Sequence, residues 1–177
     1  MKKILLSLIL MSFFNFSFGQ EIKNLDKSPL DFAVFRPNGL NSHPVARIIY
    51  SRPSMKNREV FGALVPYGKL WRTGANQSTE LNLYQDIVIE GKLLKKGNYT
   101  IYSIPNKTSW KIIFNSDLFT WGTYDYNPSK NVLEIEVPVK YTKEDVEAFG
   151  IAFGGRDGNG KILLAWEDIE VFINFTY

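Results

Sequence analysis

The 177-residue chain contains no cysteine and a single histidine, His43. Without cysteine it cannot form disulfides, thiolate metal sites or a cysteine nucleophile. With one histidine it also lacks the paired-histidine zinc motifs. The sequence has no Walker loop, dinucleotide-binding fingerprint or G-x-S-x-G nucleophile elbow. It therefore predicts no metal site and no cofactor, and it indicates no particular reaction.

The first 19 residues have the three parts of a secretory signal peptide. Two lysines precede an apolar run over residues 4–18, and Ser17 and Gly19 are small residues at the spacing that signal peptidase recognises. Polar residues interrupt the run, whereas a transmembrane helix needs roughly 20 predominantly apolar residues. We therefore expect cleavage before Gln20 and an exported protein, periplasmic or secreted, with no transmembrane segment after cleavage.

Cleavage would lower the formal net charge from +3 to +1, because both lysines leave with the signal peptide. A nearly neutral chain is a poor partner for nucleic acid. The remaining length fits one domain. We interpret residues 20–44, which contain three prolines, as an extended N-terminal arm, and residues 45–177 as a single β domain. The sequence gives no indication of oligomeric state.

Nine short runs beyond the arm are rich in β-branched and aromatic residues, and turn residues bound each of them, as is typical of strands. They cover residues 45–51, 79–84, 86–90, 99–104, 110–115, 132–139, 148–154, 161–167 and 169–175. No segment is a convincing amphipathic helix, although residues 141–149 would allow two helical turns and residues 60–65 one. The sequence therefore predicts an all-β fold with little helix: an antiparallel β-sandwich, a jelly-roll-like fold or a barrel of about nine strands.

The first long connection, residues 52–78, carries side chains suited to binding a ligand. It contains three arginines, an indole and two hydrogen-bonding side chains: Arg52, Arg58, Arg72, Trp71, Thr73 and Asn76. Arginine can hold carboxylate, sulfate or phosphate in forked pairs. One hypothesis is a pocket for a polar ligand, including an anionic one. The alternative is that these side chains satisfy the carbonyls of the loop while the indole plugs the end of the sandwich.

The second long connection, residues 116–131, is rich in aromatic side chains. Among them, Trp121 and Tyr124 are candidates for stacking on sugar rings, because their faces are apolar while each keeps a polar tip. The alternative is that the aromatic residues form a lid over the core. Long loops on a rigid β scaffold are common places for binding residues.

Three smaller signals have simpler explanations. His43 could act as a general base, although a lone histidine beside a proline is more often incidental. Residues 155–160 resemble a calcium loop, but the spacing of oxygen ligands fails and we interpret them as a hairpin turn. Glu134 and Glu136 could form a carboxylate pair, although alternation on a solvated strand explains them as well.

Three segments carry a resemblance to a known family. They are "YSRPSMKNREVFGALVPYGKLWRTGAN" at 50–76, "IEGKLLKKGNYTIYSIPNKTSWKIIFN" at 89–115 and "WGTYDYNPSKNVLEIEV" at 121–137. The chain resembles the exported bacterial family catalogued as domain of unknown function 2911, with Asn57 standing where members tend to have glycine. The resemblance implies an exported, mostly β domain with no established activity. It places weight on the loop with the arginines and Trp71.

These observations support three hypotheses. The first is an exported β-sandwich that binds a polar small ligand or glycan through the Arg/Trp/Asn loop. The second is an enzyme at the same site, in which arginines stabilise a developing anion and a carboxylate or His43 moves a proton. The third is a structural envelope protein whose loops only pack. Convergence of the three arginines on one cavity would favour the first two.

Overall fold

The computed structural model describes Ile22 and residues 24–177, so the predicted signal peptide and its cleavage site lie outside the described residues. Within that range the fold is all-β. Its strands are β1 (Leu30–Phe35), β2 (Ala46–Ser51), β3 (Thr79–Leu83), β4 (Ile87–Ile89), β5 (Lys92–Leu94), β6 (Gly97–Pro105), β7 (Ser109–Asn115), β8 (Asn131–Arg156) and β9 (Asn159–Thr176). In this part of the chain no α-helix occurs, and no helix is long and apolar enough to cross a membrane.

The strands form one antiparallel sheet in the order β1-β2-β3-β6-β7-β8-β9-β4-β5. The prediction of an antiparallel all-β fold is confirmed. The sheet does not close into a barrel, because β1 and β5 end it without pairing to each other. Three of the eight connections are short hairpins: β4–β5, β6–β7 and β8–β9.

The 26-residue strand β8 makes the fold sandwich-like, because it belongs to two layers. Its first eight residues, Asn131 to Pro138, pair with β7, and from Val139 onwards it pairs with β9. Register shifts between Tyr141 and Val146, and between Val146 and Gly150, mark bulges at the corner. We call β1, β2, β3, β6, β7 and the start of β8 the first layer, and the rest of β8 with β9, β4 and β5 the second layer.

Alternating side chains fill the space between the layers. In β3, Leu81 and Leu83 are buried while Asn82 between them is partly exposed. Aromatic rings join the two layers: Phe35 of β1 meets Phe175 of β9 with ring centroids 5.4 Å apart. The core therefore lies between the layers, and each layer also has an outer face.

The structure corrects the predicted elements in three places. Residues 132–139 and 148–154 are parts of β8, and the charged segment 141–149 between them is strand, so the helical alternative there is wrong. Likewise 161–167 and 169–175 are one strand, β9. Two strands were not predicted: β5, which is only three residues long, and β1, which lies within the predicted arm. The prolines of the arm do not prevent this strand. Pro29 comes just before β1, and β1 is an edge strand, where a missing backbone N–H is tolerated.

Candidate functional site

Arg52 joins the two layers. Its Nε donates to the carbonyl oxygen of Phe149 in β8 at 3.0 Å, and its Nη1 lies 3.0 Å from Asp31 Oδ2 in β1. Arg52 also lines a cleft of about 290 Å³ between these strands. Both charged groups are partly solvated, so the ion pair contributes modestly to stability.

The neighbours of Arg52 also bond to β8. We call the contact between residues 50–53 and residues 149–151 of β8 the seam. The Tyr50 hydroxyl lies 3.0 Å from the amide nitrogen of Ile151 and 3.3 Å from its carbonyl oxygen. The carbonyl of Pro53 accepts a hydrogen bond from the amide of Phe149 at 2.9 Å. Phe149 and Ile151 of β8 thus both have partners in residues 50–53, a backbone carbonyl for the first and a side-chain hydroxyl for the second. The segment Tyr-Ser-Arg-Pro therefore has a structural explanation in the seam.

Arg58 is occupied within its own exposed turn. Its Nε donates to the carbonyl of Met55 and its Nη2 to the carbonyl of Ser54, both at 2.8 Å. Lys56 and Asn57 take positive φ in this turn, at 51° and 59°. Asparagine is one of the residue types that adopt this conformation most readily after glycine. Asn57 is thus compatible with the turn.

Trp71 lies in the core, 7% exposed. Its Nε1 donates to the carbonyl of Gly74 at 3.0 Å, and its ring stacks on Trp166 with centroids 5.9 Å apart. Phe149 and Trp110 complete the surroundings of the ring. The indole is therefore part of the contact between layers, as the packing alternative proposed.

Thr73 and Gly74 hold the loop against the first layer. The buried Thr73 Oγ1 lies 2.8 Å from Ser103 Oγ, and the Thr73 carbonyl accepts from Thr79 Oγ1 at 2.6 Å. A Cβ on Gly74 would come within 3.1 Å of both the Ser51 carbonyl oxygen and Thr79 Oγ1. A side chain here would need the Ser51 carbonyl or Thr79 to shift by a few tenths of an ångström, so the close approach of the loop to β2 favours glycine.

The two long loops pair with each other just beyond this point. Gln77 and Trp121 form an antiparallel bridge. Gly122 donates its amide to the carbonyl of Asn76 at 3.1 Å, and Ser78 donates its amide to the carbonyl of Thr120 at 3.0 Å. This short ladder fixes residues 76–78 beside residues 120–122, so candidates from both loops lie together.

A cleft of about 400 Å³ opens beside this ladder on the outer face of the first layer. We call it the Trp121 cleft. It is lined by the N-terminal arm, by β2, by the start of β3 and by both loops, through Asp26, Ser28, Leu30, Ile49, Tyr50, Ser51, Asn76, Gln77, Ser78, Glu80 and Trp121. Trp121 is 54% exposed. Of the residues predicted to bind a ligand, Asn76 and Trp121 meet here, whereas Arg52, Arg58 and Arg72 do not line it.

Carboxylates determine the charge of the Trp121 cleft. Asn76 Nδ2 donates to Asp26 Oδ1 at 3.0 Å, and the same oxygen accepts the Ser28 amide at 2.7 Å. These bonds, first the one from the Ser28 backbone, lower the pKa of Asp26 below its ordinary value. Glu80 Oε1 accepts the Phe119 amide at 3.2 Å. Among the residues that the structure describes, two carboxylates and no lysine or arginine line the cleft.

Arg72 and Tyr124 lie outside the Trp121 cleft. Arg72 follows the buried Trp71 in the loop and is itself partly buried. Its Nε is buried and has no hydrogen-bond partner among the described residues. Burial lowers the pKa of the guanidinium, and the nearby Tyr124 opposes this shift. Tyr124 itself is 86% exposed, so it covers little of the core.

Other candidates have structural partners or lie on the surface. The exposed Glu134 accepts from Asn131 Nδ2 at 2.7 Å and pairs with Lys111 at 3.3 Å, as expected on a solvated strand face. His43 is exposed. The hairpin predicted at 155–160 joins β8 to β9. Within Ile22 and residues 24–177, no group of three or more histidine or acidic side chains could hold a metal ion.

Sequence reasoning missed most of the Trp121 cleft. Asp26 and Ser28 lie in the arm, and Ile49 and Glu80 lie in strands, where no motif marked them. The alternation in β3 places Glu80 on the outer face, which was the one available signal. A larger cleft of about 540 Å³ surrounds Phe175, but its lining includes three glycines and its carboxylate, Glu90, is already bonded to Asn174.

Comparisons with known proteins give a family but no function. Neither curated proteins nor solved structures provide a match to the chain. The profile of a family described as "Protein of unknown function (DUF2911)" matches residues 40–175. This match spans all of β2 to β8, both long loops and β9 as far as Phe175. The chain therefore belongs to the DUF2911 family of proteins of unknown function.

Proposed function

We propose that this protein binds a small hydroxylated ligand of the sugar class in the Trp121 cleft, without transforming it. The observation that carries the proposal is the pairing of the two long loops. That pairing places the half-exposed indole of Trp121 beside the Asn76–Asp26 hydrogen bond at one cleft. A flat apolar surface next to fixed polar groups is suited to a pyranose ring, which has an apolar face and a hydroxylated rim.

The polar side chains of the cleft supply both donors and acceptors. The side-chain amides of Asn76 and Gln77 each have an NH2 donor and a carbonyl acceptor. Ser28 adds a hydroxyl, and Glu80 adds acceptor oxygens. A set of this kind can bond several hydroxyl groups at once. A quaternary ammonium ligand would instead favour a cage of several aromatic rings. In the cleft Trp121 is the exposed aromatic residue, since Tyr50 is buried.

Charge favours a neutral or amine-bearing sugar over an anionic one. After the hydrogen bond from Ser28, Lys27 also contributes to the lowered pKa of Asp26, but it does not line the cleft. Among the described residues, the charged side chains that line it are those of Asp26 and Glu80. Each would repel a uronic acid, a sulfate or a phosphate. Three arginines suggested an anionic ligand. Arg52 and Arg58 donate to backbone carbonyls away from the cleft, and Arg72 does not line it. We therefore replace the anionic ligand in our proposal with an uncharged or cationic one.

The direction of the Asp26 pKa supports binding rather than hydrolysis. A general acid needs a carboxyl group whose pKa is raised, so that it holds a proton near neutral pH. Hydrogen bonds from Ser28 and Asn76 lower the pKa of Asp26. This carboxylate is therefore suited to accept hydrogen bonds from hydroxyl or ammonium groups and not to protonate a leaving group.

Isothermal titration calorimetry tests the proposal with four 1,4-linked tetrasaccharides: the β-linked tetramers of glucose, N-acetylglucosamine and glucosamine, and the α-linked tetramer of galacturonic acid. We expect saturable binding of at least one of the first three and weaker or no binding of the galacturonic acid tetramer. Trp121→Ala should weaken binding about tenfold, since a stacked aromatic contact is worth about 0.5–1.5 kcal/mol beyond its burial. Tyr124→Ala is the matched control and should leave binding unchanged.

Two results would contradict the proposal. One is the absence of binding by all four tetramers. The other is binding that Trp121→Ala leaves intact and Tyr124→Ala abolishes, which would move the site to the Arg72 side of the loop. Chromatography of the tetramers after prolonged incubation should recover them uncleaved, and shorter products would show catalysis.

We also propose that the protein is exported, on the basis of residues 1–19. Mass spectrometry of the protein purified from its native host should show an N-terminus at Gln20. A chain that keeps Met1 would show that the segment is not removed. A sugar-binding protein outside the cytoplasm would meet glycans before they are imported.

A further inference from the structure

A second cleft continues from the Trp121 cleft along the outer face of the first layer. It has a volume of about 190 Å³ and is lined by Leu30, Asp31, Phe32, Arg47 and Ile49. Leu30 and Ile49 line both clefts. The two volumes therefore adjoin over a shared apolar floor and form one groove.

Strand register places the two ends of this groove on one row. Phe32 of β1 lies opposite Ile49 of β2, and Ile49 lies opposite Glu80 of β3. Neighbouring strands are about 4.8 Å apart, so Phe32 and Glu80 are separated by roughly 10 Å across the sheet. Trp121 lines the same cleft as Glu80. The separation of roughly 10 Å between Phe32 and Glu80 across the sheet exceeds the length of one sugar ring.

Phe32 is exposed although it lies beside the apolar Leu30 and opposite Ile49. It is 65% exposed, and the adjacent Leu30 is 67% exposed. Single exposed apolar residues are common on protein surfaces. Here, however, Phe32, Leu30 and the partly exposed Ile49 form a continuous apolar strip that ends at hydrogen-bonding groups. Such a strip indicates an interaction site.

We infer that the groove binds an oligosaccharide of at least two sugar rings, one stacked on Trp121 and another on Phe32. This inference rests on the proposed function. The polar groups of the far end fit a sugar as well as those of the Trp121 end do. Arg47 Nε donates to Asn82 Oδ1 at 3.1 Å, which holds the guanidinium at the groove beside Phe32. The remaining guanidinium nitrogens are suited to donate to ring or hydroxyl oxygens.

The test is a length series, from one to four units, of the N-acetylglucosamine, glucosamine and glucose oligomers. We expect affinity to rise at least tenfold between the monosaccharide and the tetrasaccharide. Phe32→Ala should weaken tetrasaccharide binding about threefold to tenfold and leave monosaccharide binding unchanged. Trp121→Ala should weaken both. Tyr141→Ala, an exposed aromatic residue on β8 outside the groove, is the control.

The outcomes separate this inference from the proposed function. If no oligomer of any length binds, the proposed function fails and the inference fails with it. If the sugars bind with equal affinity at all lengths and Phe32→Ala has no effect, only the inference is wrong. An apolar strip could also bind a second copy of the chain, and light scattering of the free protein tests for such a dimer. A dimer that Phe32→Ala abolishes would assign the strip to a second copy of the chain and would overturn the inference.

Discussion

Trp71 and Trp121 belong to the two long loops, yet they have opposite surroundings. Trp71 is enclosed by aromatic rings from both layers, and its indole nitrogen donates to Gly74 inside its own loop. Trp121 is held in place by its backbone, through the bridge to Gln77, while more than half of its side chain faces solvent. The region around Trp71 is therefore closed by side chains, and the region around Trp121 is shaped by the backbone and left open. The first stabilises the fold, and the second is available to a ligand.

The largest effect expected is that of Trp71→Ala. Truncation of a buried tryptophan leaves a cavity and costs about 3–5 kcal/mol of unfolding free energy. Trp121→Ala, at a half-exposed site, should cost less than about 1 kcal/mol. Urea denaturation of both variants measures the difference. Similar losses for the two variants would mean that the two regions are not distinct.

The next largest effect concerns the seam. Arg52→Ala removes a hydrogen bond to Phe149 and a partly solvated ion pair with Asp31, so the unfolding free energy should fall by about 1–2 kcal/mol. Arg58→Ala is the control, because its bonds stay within one exposed turn and its loss should be below about 0.5 kcal/mol. Sugar affinity should be the same in both variants. An Arg52→Ala protein with normal stability and reduced affinity would place Arg52 in the ligand site.

Arg72 should show a smaller effect and of the opposite sign. Its buried Nε has no partner among the described residues, and no described carboxylate forms an ion pair with it. Arg72→Met removes this desolvated group and keeps the length of the side chain. The unfolding free energy should stay constant or rise by up to about 1 kcal/mol. Arg156→Met, at an exposed ion pair, is the control. A clear loss of stability in Arg72→Met would reveal contacts that hold the charge.

The smallest effect is the pH dependence that comes from Asp26. Its pKa is lowered in the folded protein, first by the hydrogen bond from Ser28 and then by that from Asn76. The stabilisation is therefore fully present above the ordinary value of 3.8 and is lost as pH falls through the lower, folded value. The difference in melting temperature between wild type and Asp26→Asn should be constant from pH 8 to pH 5 and should shrink below pH 3.8. A difference that changes between pH 5 and pH 8 would indicate another titrating group.

The sequence predicted most strands because their alternation is a local property. Leu133, Ile135 and Val137 are buried as their spacing indicated. The middle of β8 could not be found in this way, since residues 140–147 are mostly charged and are strand only because β9 pairs beside them. Pairing between distant segments leaves no mark in the local pattern. The same reason explains why β1 was interpreted as part of an extended arm instead of a strand of the sheet.

Residue type alone could not separate packing from binding at the candidate site. Arginine suits an anion, yet Arg52 binds a carbonyl 97 residues away in sequence. Asn76 and Trp121 were predicted to bind a ligand from their residue types, but their meeting at one cleft depends on a ladder between two loops. Asp26 joins them from the arm, 50 residues before Asn76. These contacts are set by topology, which the order of residue types does not reveal.

The long strand β8 has a consequence for how the protein comes apart. In a sandwich whose sheets are joined only by loops, one sheet can lose its pairing while the other stays intact. Here the same backbone supplies the last strand of one layer and the first strand of the next. Opening β8 at its corner removes a partner from β7 and from β9 together. The two layers are therefore one cooperative unit, and a fragment that contains only one of them would have an unpaired edge where the other began.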